Sequence, residues 1–314
     1  MQQKILIGYI CKYTLHMNYN TLTRSGLKIS EVSFGCMSLK ANATNNDAII
    51  GEAINGGITL FDTADLYEKG ENERLLGKAL KGRRNEVLVS TKVGNRWKED
   101  GSGWDWTPRK DYILKAIDNS LKRLQTDHID LYLLHGGTIE DPIDEVIEAF
   151  ERLKDTGKIR AYGVSSIRPN VIREYVKKSA IAAVMTQYSF LDRRPEEATL
   201  QLLKDNEVGV LARGTVASGL LVNKPPKSYL DLDENTVGAI IKEFKKNLPN
   251  GMTALTTAIR YAADNPAITT AVVGIRTQEQ LTDALIATNA NPLLSNQWTE
   301  LQLLWPGNKY NEHR

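Results

Sequence analysis

The feature that most constrains this chain is a regular alternation of short apolar runs with stretches of helical periodicity. Eight runs stand out: Val32–Gly35, Ile58–Phe61, Val87–Thr91, Ile129–Leu134, Ala161–Ser165, Ala183–Gln187, Val208–Ala212 and Thr269–Val273. They are rich in Val, Ile and Leu, as expected of strands covered on both faces of a parallel sheet. Between them, Ile143, Val146, Ile147, Phe150 and Leu153 recur at the spacing of a helix lying on a core. Asp141 and Pro142 ahead of that stripe predict a cap and a first-turn proline, and Gly157 predicts the stop. Ile113, Ala116, Ile117, Leu121 and Leu124 form a second stripe. Residues 18–31 predict a small hairpin turning at Ser25 and Gly26. Strands alternating with helices imply a parallel α/β sheet with right-handed crossovers. A closed barrel and an open doubly wound sheet both satisfy that pattern.

Composition narrows the class of function. The 314 residues, 41% of them hydrophobic, suffice for one large domain with a sizeable core. Forty basic against 38 acidic side chains leave no charge excess of the kind that marks a nucleic-acid partner. No apolar run reaches the ~18 residues of a membrane helix. Two cysteines, Cys11 and Cys36, are too few and too far apart for a zinc site or a disulfide framework, which fits a reducing compartment. No metal is implied. Residues 1–16, MQQKILIGYICKYTLH, carry a short apolar stretch but no small-residue cleavage site. The expectation is that they form an extension outside the fold, with Met17 as the natural start and 17–314 as a single domain.

Four polar residues fall at or just after predicted strand ends: Asp62, Tyr67, Lys92 and His135. In a (β/α)8 barrel, neighbouring strands would bring them together over the mouth. Their chemistry is coherent. Hydride reduction of a carbonyl needs a proton for the developing alkoxide. A tyrosine is an ineffective acid near neutrality, but a nearby ammonium stabilises its phenolate. A carboxylate holds that ammonium charged, and a histidine orients the carbonyl or relays the proton. Singly, each has an ordinary reading: a helix cap, a packed loop ring, a solvated lysine, a satisfied histidine. It is the combination at successive strand ends that favours chemistry. Trp97, Trp104 and Trp106 cluster in one long polar loop after the third strand. They read either as packing under that loop or as an aromatic wall for the substrate.

Two stretches carry a resemblance. GGITLFDTADLYEKGENERLLGKALKGRRNEVLVSTKVG (Gly56–Gly94) and DHIDLYLLH (Asp127–His135) resemble the signatures of the aldo-keto reductases. The likeness runs from Met17 to about Asn289 and selects the (β/α)8 TIM barrel over the open sheet. It implies that Asp62, Tyr67, Lys92 and His135 form a catalytic tetrad, with Tyr67 as general acid and NADP(H) as cofactor. It further implies nicotinamide carboxamide contacts from Ser165, Ser166 and Gln187, although many members have Asn where Ser166 stands. Arg213 occupies the place of a ring-stacking tyrosine. The run from Gly214 through Thr215 and Val216 to Gly219 resembles a pyrophosphate-wrapping loop. Gly274, Arg276, Thr277 and Gln280 match the adenosine-phosphate site, while Ala284 replaces a frequent adenine-touching Asn. The Gly70–Lys78 segment is no phosphate loop, because its glycines are too far apart and Ala79 replaces the needed hydroxyl.

The implied activity is NADPH-dependent reduction of an aldehyde or ketone by a cytoplasmic enzyme acting on a small molecule, with oligomeric state open. A Schiff-base lyase using Lys92 is one rival. The other is a non-catalytic subunit that senses cofactor on the same fold.

Overall fold

The computed structural model describes residues 17–40 and 43–314, so the expectation about residues 1–16 lies outside the described residues. The chain opens with an antiparallel hairpin, β1 (Tyr19–Leu22) and β2 (Leu27–Ser30). The barrel begins with β3 (Val32–Gly35), β4 (Leu60–Asp62) and β5 (Leu88–Val93). A second hairpin, β6 (Asn95–Trp97) and β7 (Trp104–Trp106), interrupts it. The barrel resumes with β8 (Ile129–Leu134), β9 (Ile159–Ser165), β10 (Ala183–Gln187), β11 (Gly209–Arg213) and β12 (Thr270–Gly274). Eight parallel strands close when β12 pairs with β3, Val273 lying opposite Phe34. The (β/α)8 barrel is therefore the fold, and all eight apolar runs became its strands.

The double coverage of the strands explains their unbroken apolar character. In β8 all six residues are buried. Leu131 and Leu133 join the barrel interior, while Tyr132 and Leu134 join the layer under the helices. One charge is accommodated in this strand: Asp130 accepts from Arg84 at 2.7 Å, Arg160 at 2.8 Å and the Val89 N–H at 2.9 Å. Close strand packing also fixes a glycine. A Cβ on Gly163 in β9 would lie 2.0 Å from the Ala183 carbonyl oxygen of β10, which only glycine avoids.

The first hairpin closes one end of the barrel. Leu22, Leu27 and Ile29 belong to the interior cluster with Leu60, Leu131 and Leu211. Leu22 abuts Gly209, the first residue of β11, and the Asn20 amide donates to the Thr269 carbonyl just before β12. The contacts with Gly209 and Thr269 lie at strand N-terminal ends, which leaves the opposite, C-terminal end open.

The helices follow their apolar stripes, with one change of detail. Helix Ile143–Asp155 buries Ile143, Val146, Ala149, Phe150 and Leu153. Pro142, not Asp141, occupies its cap position, and no side chain caps it. The Asp141 carboxylate instead accepts from the Thr138 N–H at 2.7 Å and from the Trp106 indole at 2.9 Å. A long-range aromatic partner outcompetes the local cap. The predicted tryptophan loop is also corrected, since Trp97 and Trp104 face each other across β6 and β7.

Candidate active site at the open end of the barrel

Asp62 ends β4, and Lys92 lies one residue before the end of β5, rather than just beyond the strand. Thr91 turns outward to Glu73 at 2.6 Å, so alternation turns Lys92 inward. Tyr67 begins a short 3-10 turn after β4, and His135 follows β8 directly. Parallel pairing of β4 with β5 and of β5 with β8 brings the four together.

The Lys92 ammonium is the hub. Its Nζ donates to Asp62 Oδ2 at 2.7 Å, to the Thr63 carbonyl at 2.7 Å and to the Tyr67 hydroxyl at 3.3 Å. Lys92 is 1% exposed and Asp62 7%. Burial by itself favours a neutral lysine, but Asp62 and Tyr67 more than offset it, and the lysine pKa is raised. The three N–H groups have three acceptors, which favours the ammonium form, and an ammonium has no lone pair for attack on a carbonyl. That geometry disfavours the Schiff-base reading.

Tyr67 and His135 meet edge to face, ring centroids 5.8 Å apart. Burial first, then the charges of Lys92 and Arg213, push His135 down to a pKa of about 3. Its buried Nδ1 has no partner among the described residues. A cavity of about 410 Å3 opens above these groups, lined by Tyr67, Lys92, His135, Ser165, Ser166 and Arg213. Met37, Leu66, Gly136, Ile167 and Arg168 complete its rim. Sequence reasoning missed these five, although Leu66, Gly136, Ile167 and Arg168 sit within two residues of positions it had singled out.

The tryptophans are not part of that rim. Trp106 is tied to Asp141, Trp104 is 53% exposed, and Trp97 donates its indole N–H to the Leu66 carbonyl at 3.3 Å. Trp97 lines a different cavity, on the outer flank of the barrel mouth.

The residues assigned to a dinucleotide continue from the rim across the neighbouring strand ends. Ser165 and Ser166 are nearly buried, and Ser166 Oγ accepts from the Arg168 N–H at 3.1 Å. Gln187 is engaged on both sides: it accepts from Arg213 at 3.0 Å and donates to the Tyr229 hydroxyl at 3.1 Å. Tyr229 had no signal in the sequence, because it approaches from a distant segment. Gly214 has φ +74°, and a Cβ there would lie 3.3 Å from Gln187 Cγ. Gly219, at φ +91°, ends a run in which Ala217 and Ser218 are also left-handed, a backbone shape suited to cradling an anion. Thr215 is buried and Val216 partly so. Gly274 and Arg276 are exposed, and the Arg276 guanidinium has no ion pair among the described residues. Thr277 caps helix Gln278–Asn289 through the Gln280 N–H, while Gln280 Oε1 accepts from the Arg276 N–H at 3.0 Å. A glycine-bent cradle and a free guanidinium at a helix start fit a dinucleotide.

A closed parallel barrel thus carries this constellation at its C-terminal end. The aldo/keto reductase family model matches residues 31–306, and the chain belongs to that family. It is 45% identical over 307 residues to the uncharacterized oxidoreductase YqkF of Bacillus subtilis, covering 95% of this chain and 100% of that protein. The Schizosaccharomyces pombe aldo-keto reductase yakc, whose name specifies NADP(+), is 32% identical over 217 residues, 65% of this chain and 64% of that one. The holo form of aldo-keto reductase AKR11C1 from Bacillus halodurans superposes with a TM-score of 0.90 at 45% identity, covering 95% of this chain and 100% of that one.

The His135 shift has a consequence for stability. Its folded pKa of about 3 lies below the ordinary 6.5, so the unfolded chain binds the extra proton between those values. Stability is therefore present above about pH 6.5 and is lost as pH falls towards 3. Denaturant unfolding of His135→Gln should show a shallower loss of stability below pH 6.5 than the native chain; parallel slopes would contradict the shift.

Proposed function

We propose that the protein reduces an aldehyde or ketone to an alcohol with NADPH, and that Tyr67 is the general acid. The observation that carries this reading is the Lys92 ammonium, bonded to Asp62 and 3.3 Å from the Tyr67 hydroxyl at the floor of an open cavity. A substrate carbonyl oxygen between Tyr67 and His135 receives the Tyr67 proton as the carbonyl carbon is reduced. The adjacent ammonium stabilises the phenolate left behind. Asp62 holds the ammonium in place, and His135, neutral in this site, orients the carbonyl by hydrogen bonding. Reduced nicotinamide, when bound, supplies the hydride. Ser165, Ser166 and Gln187 would hold its carboxamide, with Gln187 giving up a present partner, and Arg213 would lie against the ring. The backbone from Gly214 to Gly219 would take the pyrophosphate.

A non-catalytic cofactor sensor would keep the same geometry, and turnover separates the two readings. A cytoplasmic setting suits an enzyme that draws on soluble nicotinamide.

Two substitutions test the assignment. Tyr67→Phe keeps the ring but removes the proton, so turnover across a panel of aldehydes and ketones should fall about 10²-fold or more with NADPH affinity nearly unchanged. Near-native turnover would remove Tyr67 from the mechanism. The Arg276 guanidinium is assigned to the 2′-phosphate, where charge-assisted bonds are worth about 1.5–3 kcal/mol. Arg276→Ala should weaken NADPH binding by roughly tenfold or more and leave NADH binding almost untouched. Equal losses for both nucleotides would assign Arg276 to the shared adenosine instead.

A further inference from the structure

A second cavity, about 690 Å3, lies on the outer flank of the barrel mouth. Its walls come from the turn after β4, from β6 and from helix Lys110–Leu124. Five cations line it: Lys69, Arg96, Arg109, Lys115 and Arg123. Two carboxylates, Asp65 and Asp111, oppose them.

Most of this positive charge is poorly compensated. Arg123 is committed to Glu73 at 2.6 Å. Arg96 and Arg109 each have their nearest ion-pair carboxylate at 3.9 Å, Asp105 and Glu145 respectively. Lys115 makes no ion pair among the described residues, and Lys69 sits 5.1 Å over the Trp97 ring. Asp65 lies on the buried side with one oxygen unpartnered among the described residues. Burial and the neighbouring Glu73 push its carboxyl well up. Ordinary surface lysines and arginines spread over a convex, solvated face; here they share one concavity with the rings of Trp97 and Tyr112.

We propose that this cavity is a binding site for a phosphate-bearing small molecule, separate from the barrel mouth. Arginine forks match phosphate oxygens through paired charge-assisted bonds, and the Lys115 ammonium adds a point charge. The site is not part of the dinucleotide track, whose residues lie on β9 to β12 and the segments that follow them. It shares a wall with the mouth. Trp97 donates to the Leu66 carbonyl next to Tyr67, and Asn95 donates to the His135 carbonyl at 3.3 Å. Tyr112, on the cavity side, donates to the Asn95 carbonyl at 3.3 Å. An occupant thus touches the side chains that brace Tyr67 and His135.

Occupancy of this cavity is independent of the proposed reduction. Inorganic pyrophosphate is titrated into the full chain at constant ionic strength, with and without saturating NADPH, by calorimetry and by tryptophan fluorescence. Saturable binding in both conditions is expected, with a fluorescence change that Trp97→Phe removes. The double variant Arg96→Ala, Lys115→Ala should bind about tenfold or more weakly. Its melting temperature and its turnover without pyrophosphate should match the native chain. No saturable binding, unchanged affinity in the double variant, or loss of binding when NADPH saturates would each overturn the proposal.

Discussion

The buried pair of Lys92 and Asp62 is the interaction on which the site depends. Both groups are removed from water, at 1% and 7% exposure, and neither is tolerable there alone. Deleting one partner of a buried pair typically costs about 3–5 kcal/mol, because the other is left as an uncompensated charge. The pair persists because the backbone supplies what a bare ion pair lacks. The Thr63 carbonyl takes a second ammonium proton, and Tyr67 takes the third. The same arrangement that satisfies the lysine aims its charge at the phenol oxygen.

The barrel makes that pairing affordable by treating its two ends differently. The end formed by strand N-termini is closed by Leu22, Leu27 and Ile29 of the first hairpin. Polar groups gather at the other end, where strand pairing delivers Asp62, Lys92 and His135 side by side. Burial at that end does two things at once. It keeps His135 neutral, and it strengthens the field of Lys92, which water would otherwise screen.

Much of this was legible in the sequence, for a physical reason. Strands covered on both faces must be apolar throughout, so each shows as a short run, and the few polar residues at their ends stand out. Asp62, Lys92 and His135 were visible that way, and the structure brings them together with Tyr67. What depended on long-range partners was not legible. Asp141 looked like a local cap until Trp106 claimed its carboxylate. Trp97 and Trp104 looked like loop residues because three-residue strands are too short to show alternation. The link from Gln187 to Tyr229 spans 42 positions and leaves no local pattern. The cationic flank cavity was hidden for the same reason, since its side chains come from three separate segments.

Passage of hydride to a carbonyl at this site is the central step and can be followed with an isotope. Incubating the protein with NADPH deuterated at the transferring C4 position and a panel of aldehydes and ketones, then analysing the alcohols by mass spectrometry, asks that directly. One deuterium on the former carbonyl carbon of at least one product, with oxidation of an equal amount of cofactor, is the predicted result. Bound NADPH that is never oxidised, and no labelled alcohol from any carbonyl in the panel, would contradict it.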